Sequence, residues 1–387
     1  MAKNSTLHQG YFGRLGGAFK GMLTGLFLVF GAIALLFWNE GRAVKRARAL
    51  KEGAAATIPV NPSQIDPGNQ GRLIHFSGPL TVHGTLSDPL FDGDFAALAL
   101  LREVEMYQWT EETHSEEKIN VGGSSDTIVS NIYKKTWSSL LIPSGNFEEP
   151  GHDNPEAFPV PSLSQYAKGV TIGAFRIPDD CIPSLGRLSG VTAPSVTNAL
   201  PAAAPPGLIR TTYGYYFSAA GATNVPPEAA IGDAKITLAV AEPCDASFVA
   251  VQQGDTLAAY TAKNGGRLFL QANGAKTANE MFASAESANK TATTLLRILG
   301  FVVMFLGFGM LLGPLKVLMD VMPFLGRVVG AGISAISFLL ALVVSLVTIA
   351  IAWITYRPVL AVALLAVAGG AGYLVWKKTH AEKENGK

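Results

Sequence analysis

The chain has 387 residues, 49% apolar and only 15% charged, against roughly 25% charged in an ordinary soluble protein. Its 30 basic and 29 acidic residues leave a net charge of +1, so no global field favours nucleic acid or acidic partners. Two cysteines, Cys181 and Cys244, exclude a disulfide-rich scaffold and a cysteine-based zinc module.

Residues 1–20 read as an N-terminal tail. Residues 21–38 then carry no charge, between Lys20 and Asn39-Glu40. As a helix this run reaches about 27 Å, enough for a hydrocarbon core of roughly 30 Å, with Trp38 at the interface. A cleaved signal peptide is the competing reading. Its apolar region is about 7–15 residues and ends in small residues; here the run is longer and a basic stretch follows, which favours an uncleaved anchor.

Residues 39–52 form that stretch, predicted as a short helix with Arg42, Lys45, Arg46, Arg48 and Lys51. At a membrane surface each basic side chain adds about 1 kcal/mol of attraction to anionic lipid. The narrow apolar face (Val44, Ala47, Leu50) argues against deep insertion, and a solvated charged stalk is the alternative.

Residues 53–290 form a large α+β body. Residues 71–82 read as a strand, a Gly-Pro break and a second short strand. Val104–Thr110 alternates two faces, with Glu105, Tyr107 and Trp109 on one. Ile128–Leu141 repeats the style with Tyr133, Lys135 and Trp137, and the Gly122-Gly123 turn between them predicts a long antiparallel hairpin with cross-strand aromatic pairs. Further strands are expected at 207–217, 234–241, 248–253 and 267–271. The Pro-rich loop 143–161 and the Pro/Ala-rich stretch 193–207 separate them, and 278–296 is helical in composition.

Three more uncharged runs follow at 298–315, 328–356 and 358–376, and residues 377–387 form a short tail. The expected fold is therefore an α+β membrane protein, with one N-terminal and three C-terminal transmembrane helices around a large strand-rich body, which the family resemblance given below makes extracytoplasmic. The counts of Lys and Arg flanking the spans are balanced between the two sides, so the positive-inside rule does not orient the chain. None of the four runs holds an Asp, Glu, Lys, Arg or His, which argues against a pump or coupled transporter; a passive pore stays open. Gly17, Gly21 and Gly25 recur every four residues on one face of the first helix, and Gly326 and Gly330 repeat the spacing at the third. Small residues so placed let helix backbones approach closely.

Candidate chemistry is sparse. His75 and His83 flank the first strands with Asp88, Asp92 and Asp94 nearby, but no HExxH, paired CxxC or calcium-loop pattern supports a metal site. No nucleophile elbow, phosphate loop or dinucleotide fingerprint follows a strand. No catalytic residue and no cofactor are predicted. Cys181 and Cys244 form at most one disulfide, in an oxidising compartment.

Several strings together resemble the transmembrane protein 43 (LUMA) family. They are Asn39-Glu-Gly-Arg-Ala43, Gly71-Arg-Leu-Ile-His75, Glu103-Val-Glu-Met-Tyr-Gln-Trp109, Trp137, Asn146-Phe147, His152-x-Asn154-Pro155, Gly232-Asp233, Gly254-Asp255-Thr-Leu257 and Tyr356-Arg-Pro358. The resemblance implies a four-span protein without enzymatic activity, its termini cytosolic or nucleoplasmic and its body luminal. Animal members self-associate in the endoplasmic reticulum and inner nuclear membrane and bind emerin and lamins. The alanine-rich style points to a bacterial member, with a periplasmic body in the inner membrane and without those two partners. The leading expectation is a membrane organiser. A lipid- or metal-handling body, with or without an enzymatic activity, or a passive pore, is the alternative.

Overall fold

The computed structural model describes residues 4–90, 94–190, 205–211 and 214–358. They fall into two compact units: a strand-rich body, largely residues 51–115 and 129–284, and a helical unit of residues 6–50, 116–128 and 285 onward.

The principal strands are β1 (Leu73–Pro79), β2 (Ala99–Ile119), β3 (Ser125–Ser138), β4 (Leu208–Thr211), β5 (Gly214–Phe217), β6 (Ala234–Glu242), β7 (Asp245–Gln253) and β8 (Leu270–Asn273). In the larger sheet β2 lies between β3 and β6, and β5 and β4 continue beyond β6. β2 and β6 run antiparallel from Ala99 opposite Ala241 to Met106 opposite Ala234. Alternation assigns the faces: Leu100, Val104, Ile236 and Leu238 point into one core with Tyr215, while Glu103, Glu105 and Lys235 point out. In the second sheet β7 pairs with β1, β8 and the short strand Thr256–Ala258. Its core stacks Phe76 on Phe175, with ring centroids 4.5 Å apart, among Ile74, Ile172 and Phe248. Each such side chain contributes about 1.5–3 kcal/mol on leaving water.

The predicted hairpin is present as β2 and β3. Gly122 and Gly123 at its tip have φ of +93° and +81°, a region open to glycine at no steric cost. Tyr107 packs on Trp137 across the strands at 5.0 Å, and the Lys135 ammonium sits 4.8 Å from the Trp109 ring. Three strand expectations need correction. After Pro79 no second strand forms: the Leu80 N–H donates to the Cys244 carbonyl, and Thr81 makes a single bridge to Thr171. Residues 207–217 hold a hairpin, with Leu208 opposite Phe217. Residues 267–271 split into a two-residue strand, Arg267–Leu268, and β8.

The helices are α1 (Tyr11–Ala56), α2 (Ala278–Leu311), α3 (Gly313–Met319) and α4 (Pro323–Tyr356). Three are long and apolar enough to cross a membrane: α1, α2 and, over Val328–Tyr356, α4. The fourth expected span, residues 358–376, lies outside the described residues except for Pro358, as do most of the 193–207 stretch and the 377–387 tail. The segment 39–52 is not a separate helix. It continues α1, because nothing after Trp38 removes a backbone donor. The run 298–315 is likewise broken, since α2 stops at Leu311 and Pro314 opens α3. Proline supplies no N–H to the preceding turn but is tolerated in a helix's first turn. The same allowance starts α4 at Pro323, ahead of the uncharged run.

Gly25 and Gly307 let α1 and α2 meet backbone to backbone. A Cβ added at Gly25 would lie 2.6 Å from the Gly307 carbonyl oxygen, and one at Gly307 would lie 2.9 Å from Val29 Cγ2. Beside this crossing Ala32, Leu36, Met304 and Ala341 are buried together. In lipid such packing rests on van der Waals contact, because apolar side chains gain nothing by leaving apolar tails.

Candidate functional site

The most polar buried cluster of the helical unit forms where the apolar runs end. On α1, Phe37, Glu40 and Gly41, Val44 and Arg48 recur at helical spacing and share one face. Asn39, Arg42 and Ala43 share the next. On α2, Asn289, Thr293 and Arg297 repeat every four residues, and on α4 Trp353, Tyr356 and Arg357 follow at three and four.

Glu40 is fully buried and both its oxygens are bound. Arg297 Nε donates to Oε1 at 2.6 Å, and Trp353 Nε1 donates to Oε2 at 2.9 Å. One carboxylate thus joins α1, α2 and α4. Such a charge beside hydrocarbon is tolerated only when paired and hydrogen-bonded. Asn39, also fully buried, donates to the Thr293 carbonyl at 3.0 Å. Arg42 donates to Asn289 Oδ1, Asn39 Oδ1 and Thr293 Oγ1, and Asn289 returns a bond to the Ala43 carbonyl. Gly41 makes room for Tyr356: a Cβ there would sit 2.6 Å from the ring's Cζ. Phe37 packs against the same ring at 5.4 Å, and Arg48 donates to the Tyr356 carbonyl at 3.0 Å.

At the other end of the bundle Arg14 is buried and ties α1 to Asp320, between α3 and α4, at 2.7 Å. Its second nitrogen donates to the Gly123 carbonyl of the hairpin tip, also at 2.7 Å. In the sequence Glu40 stands out only as the end of an apolar run and part of a family string, and Arg14 does not stand out, because the partners of both lie more than a hundred residues away.

The glycine stripe divides. Gly25 is consumed at the α2 crossing, whereas a Cβ at Gly17 or Gly21 would meet nothing within 4 Å; at Gly330 it would touch only the Lys316 stem, 3.4 Å away. The side-chain surroundings of Gly326 lie outside the description. Of the five basic residues after the first span, Arg42 is bound within the network and Arg48 caps α4. Lys45, Lys51 and Arg48 itself are exposed, and Arg46 is half-buried.

In the body, three of the residues considered for a metal, His75, His83 and Asp88, are bound to other partners. His75 Nε2 bonds the Lys276 carbonyl and His83 Nε2 bonds Thr171, while Asp88 pairs with Arg102 at 2.6 Å inside the core. Asp92 lies outside the description. Among the described residues no three His, Cys, Asp or Glu side chains gather as metal ligands. Both cysteines are free thiols. Burial, with Asp180 adding to it, pushes the Cys181 thiol up to about 12, the opposite of what a nucleophilic thiolate needs.

The body's polar bonds link the strings singled out in the sequence. Asn154 Nδ2 donates to the Trp109 and Ile142 carbonyls, and its Oδ1 accepts from the Trp109 N–H. His152 stacks on Tyr133 at 3.8 Å and meets the Trp109 edge. Asp233 accepts from the Tyr216 hydroxyl at 2.5 Å and from two backbone amides, and its own carbonyl accepts from the Tyr107 N–H.

Comparison of the sequence with known proteins places the chain in a family. A family model described as transmembrane protein 43 matches residues 106–358. The chain is 32% identical to human transmembrane protein 43 over 93% of its own length and 90% of the relative's. The mouse protein is 31% identical over 90% and 88%, and the Drosophila melanogaster homolog is 30% identical over 92% and 93%. No solved structure matches. The relatives' names describe membrane proteins and no reaction, and with this breadth of identity over the body, the helices and the strings that join them, the chain belongs to the transmembrane protein 43 family.

Proposed function

We propose that this chain is a non-enzymatic membrane organiser, which acts by associating with further copies of itself and recruiting partners through its body. The observation that carries the reading is the divided stripe on α1. Gly25 is used within the chain, but Gly17 and Gly21 stay open to close approach, and small residues four apart are how one helix backbone reaches another in lipid. A second copy is the partner this reading commits to. Emerin and lamins, which the family resemblance implies for animal relatives, apply only at a nuclear envelope.

The test uses the full chain in lipid nanodiscs or mild detergent. A cysteine placed at Gly17 in a Cys181→Ser/Cys244→Ser background is expected to form an oxidised dimer, and Gly21→Leu to lower the oligomer fraction. A chain that stays monomeric at every concentration and never cross-links at Gly17 overturns the proposal. The body is assigned to the extracytoplasmic compartment, which predicts that Cys244 reacts with an impermeant maleimide in intact cells or spheroplasts. Labelling only after permeabilisation places it on the cytoplasmic side instead.

A further inference from the structure

The end of α4 concentrates positive charge beyond what the Glu40 network neutralises. Arg297 and Arg357 both approach the Trp353 ring, with their guanidinium carbons 5.9 and 6.0 Å from its centroid, and Arg48 donates to the carbonyl of the residue between Trp353 and Pro358 that ends the helix, Tyr356. Three guanidiniums therefore meet within one helical turn of α4, against a single carboxylate. Both oxygens of that carboxylate are already occupied, by Arg297 and by the indole N–H. Among the described residues neither Arg48 nor Arg357 meets an acidic side chain, and Arg48 is exposed.

Depth fixes what this charge faces. The uncharged run of α4 ends at Tyr356, that of α1 ends at Trp38, and that of α2 begins at Ile298, and the Glu40 bonds hold these three points at one level. Trp and Tyr at the ends of spans mark the headgroup region. Arginine stems lie along apolar surface while their heads reach phosphate, which the planar fork binds through two parallel bonds.

We propose that Arg48, Arg297 and Arg357, around Trp353, hold the phosphate of an anionic phospholipid headgroup. The inference rests on the long helices being membrane spans and is independent of self-association. It narrows the basic stretch to one residue of α1 acting with two from α2 and α4. A phosphodiester flanked by acyl chains fits a site whose floor is Trp353 and Tyr356. A free phosphate is at least as negative as the diester and needs none of that apolar floor.

Purified full-length protein in detergent, titrated with phosphatidylglycerol or phosphatidylcholine and read by native mass spectrometry, tests it. Phosphatidylglycerol is expected to be retained in preference to phosphatidylcholine. Arg48→Gln/Arg357→Gln is expected to lower that preference by about fivefold per arginine removed, from the ~1 kcal/mol each contributes near an anionic surface. Both substitutions leave the Glu40 bonds intact, and the variant's melting temperature reports whether it is folded. Should the double variant not fold, Arg357→Gln alone carries the test. Inorganic phosphate forms the control arm, and it is expected not to displace bound lipid at millimolar concentration. Equal retention of the two lipids, retention unchanged in the variant, or binding of inorganic phosphate without lipid overturns the proposal. Oligomer mass is read in the same spectra, so failure of the association reading is seen separately.

Discussion

Replacing Glu40 with alanine strips three helices of their shared acceptor. Two donors lose it. The Trp353 indole N–H, 2.9 Å from Oε2, is left unsatisfied in a half-buried position, at a cost of about 1–3 kcal/mol. Arg297 loses its carboxylate at 2.6 Å. A fully buried pair broken this way costs about 3–5 kcal/mol, but the Arg297 side chain is 33% exposed and regains water, which reduces its share to the ~1 kcal/mol of an exposed pair. The sum is a destabilisation of about 2–4 kcal/mol. Reversible unfolding in mixed micelles, followed by tryptophan fluorescence, reads it directly. Glu40→Gln keeps one acceptor but turns an amide toward the other donor, so its loss is expected to be intermediate. A double-mutant cycle with Arg297→Met separates contact from general disruption: residues that touch should show a coupling of about 0.5–3 kcal/mol. A Glu40→Ala variant within about 0.5 kcal/mol of the parent, or strict additivity in the cycle, refutes the reasoning.

Gly307→Leu places a branched side chain where Val29 Cγ2 and the Gly25 carbonyl already lie within about 3 Å of a Cβ, and is expected to cost about 1–3 kcal/mol by overpacking; Gly309→Ala, with nothing within 4 Å, should be near neutral in the same unfolding assay. Asn154→Ala leaves the Trp109 amide and two carbonyls without their side-chain partner and should destabilise the body by about 2–3 kcal/mol, seen as a lower melting temperature. Glu52 is held below the usual carboxylate range first by the Tyr260 hydroxyl, then by the Lys263 amide. Its contribution is therefore complete above the unfolded value of 4.5 and fades as pH falls through the lower folded value. Tyr260→Phe should lower the melting temperature at pH 7, and the gap should narrow as pH falls from 4.5 through the lower folded value; a gap that does not narrow with acid would contradict the assignment.

How far the sequence could be read follows from what each feature depends on. A span needs only about twenty uncharged neighbours, so α1, α2 and α4 were legible as runs, and a hairpin needs only alternation and a glycine turn, so β2 and β3 were legible too. What local pattern could not supply is the partner. Gly17 and Gly25 lie on one four-residue stripe of α1, and only the passage of Gly307 makes one of them a contact. Arg102 sits at an inward position of β2 between Leu100 and Val104, where alternation alone expects an apolar residue; Asp88 and the Pro161 carbonyl are what permit it. The short strings behind the family resemblance had no physical account until their partners were seen. Asn39-Glu-Gly-Arg-Ala43 ends one apolar run and Tyr356-Arg-Pro358 ends another, and they meet through Gly41, Arg48 and the turn of α4 that carries Trp353. Glu103–Trp109 meets Gly232-Asp233 through Tyr107 and His152-x-Asn154-Pro155 through Trp109. Each of these five strings is half of a contact that backbone geometry or a buried polar group makes specific: glycine because a ring lies on it, aspartate and asparagine because backbone amides and carbonyls need an acceptor or a donor there. Substituting one half therefore costs the other half its partner, and that requirement is what places such residues together.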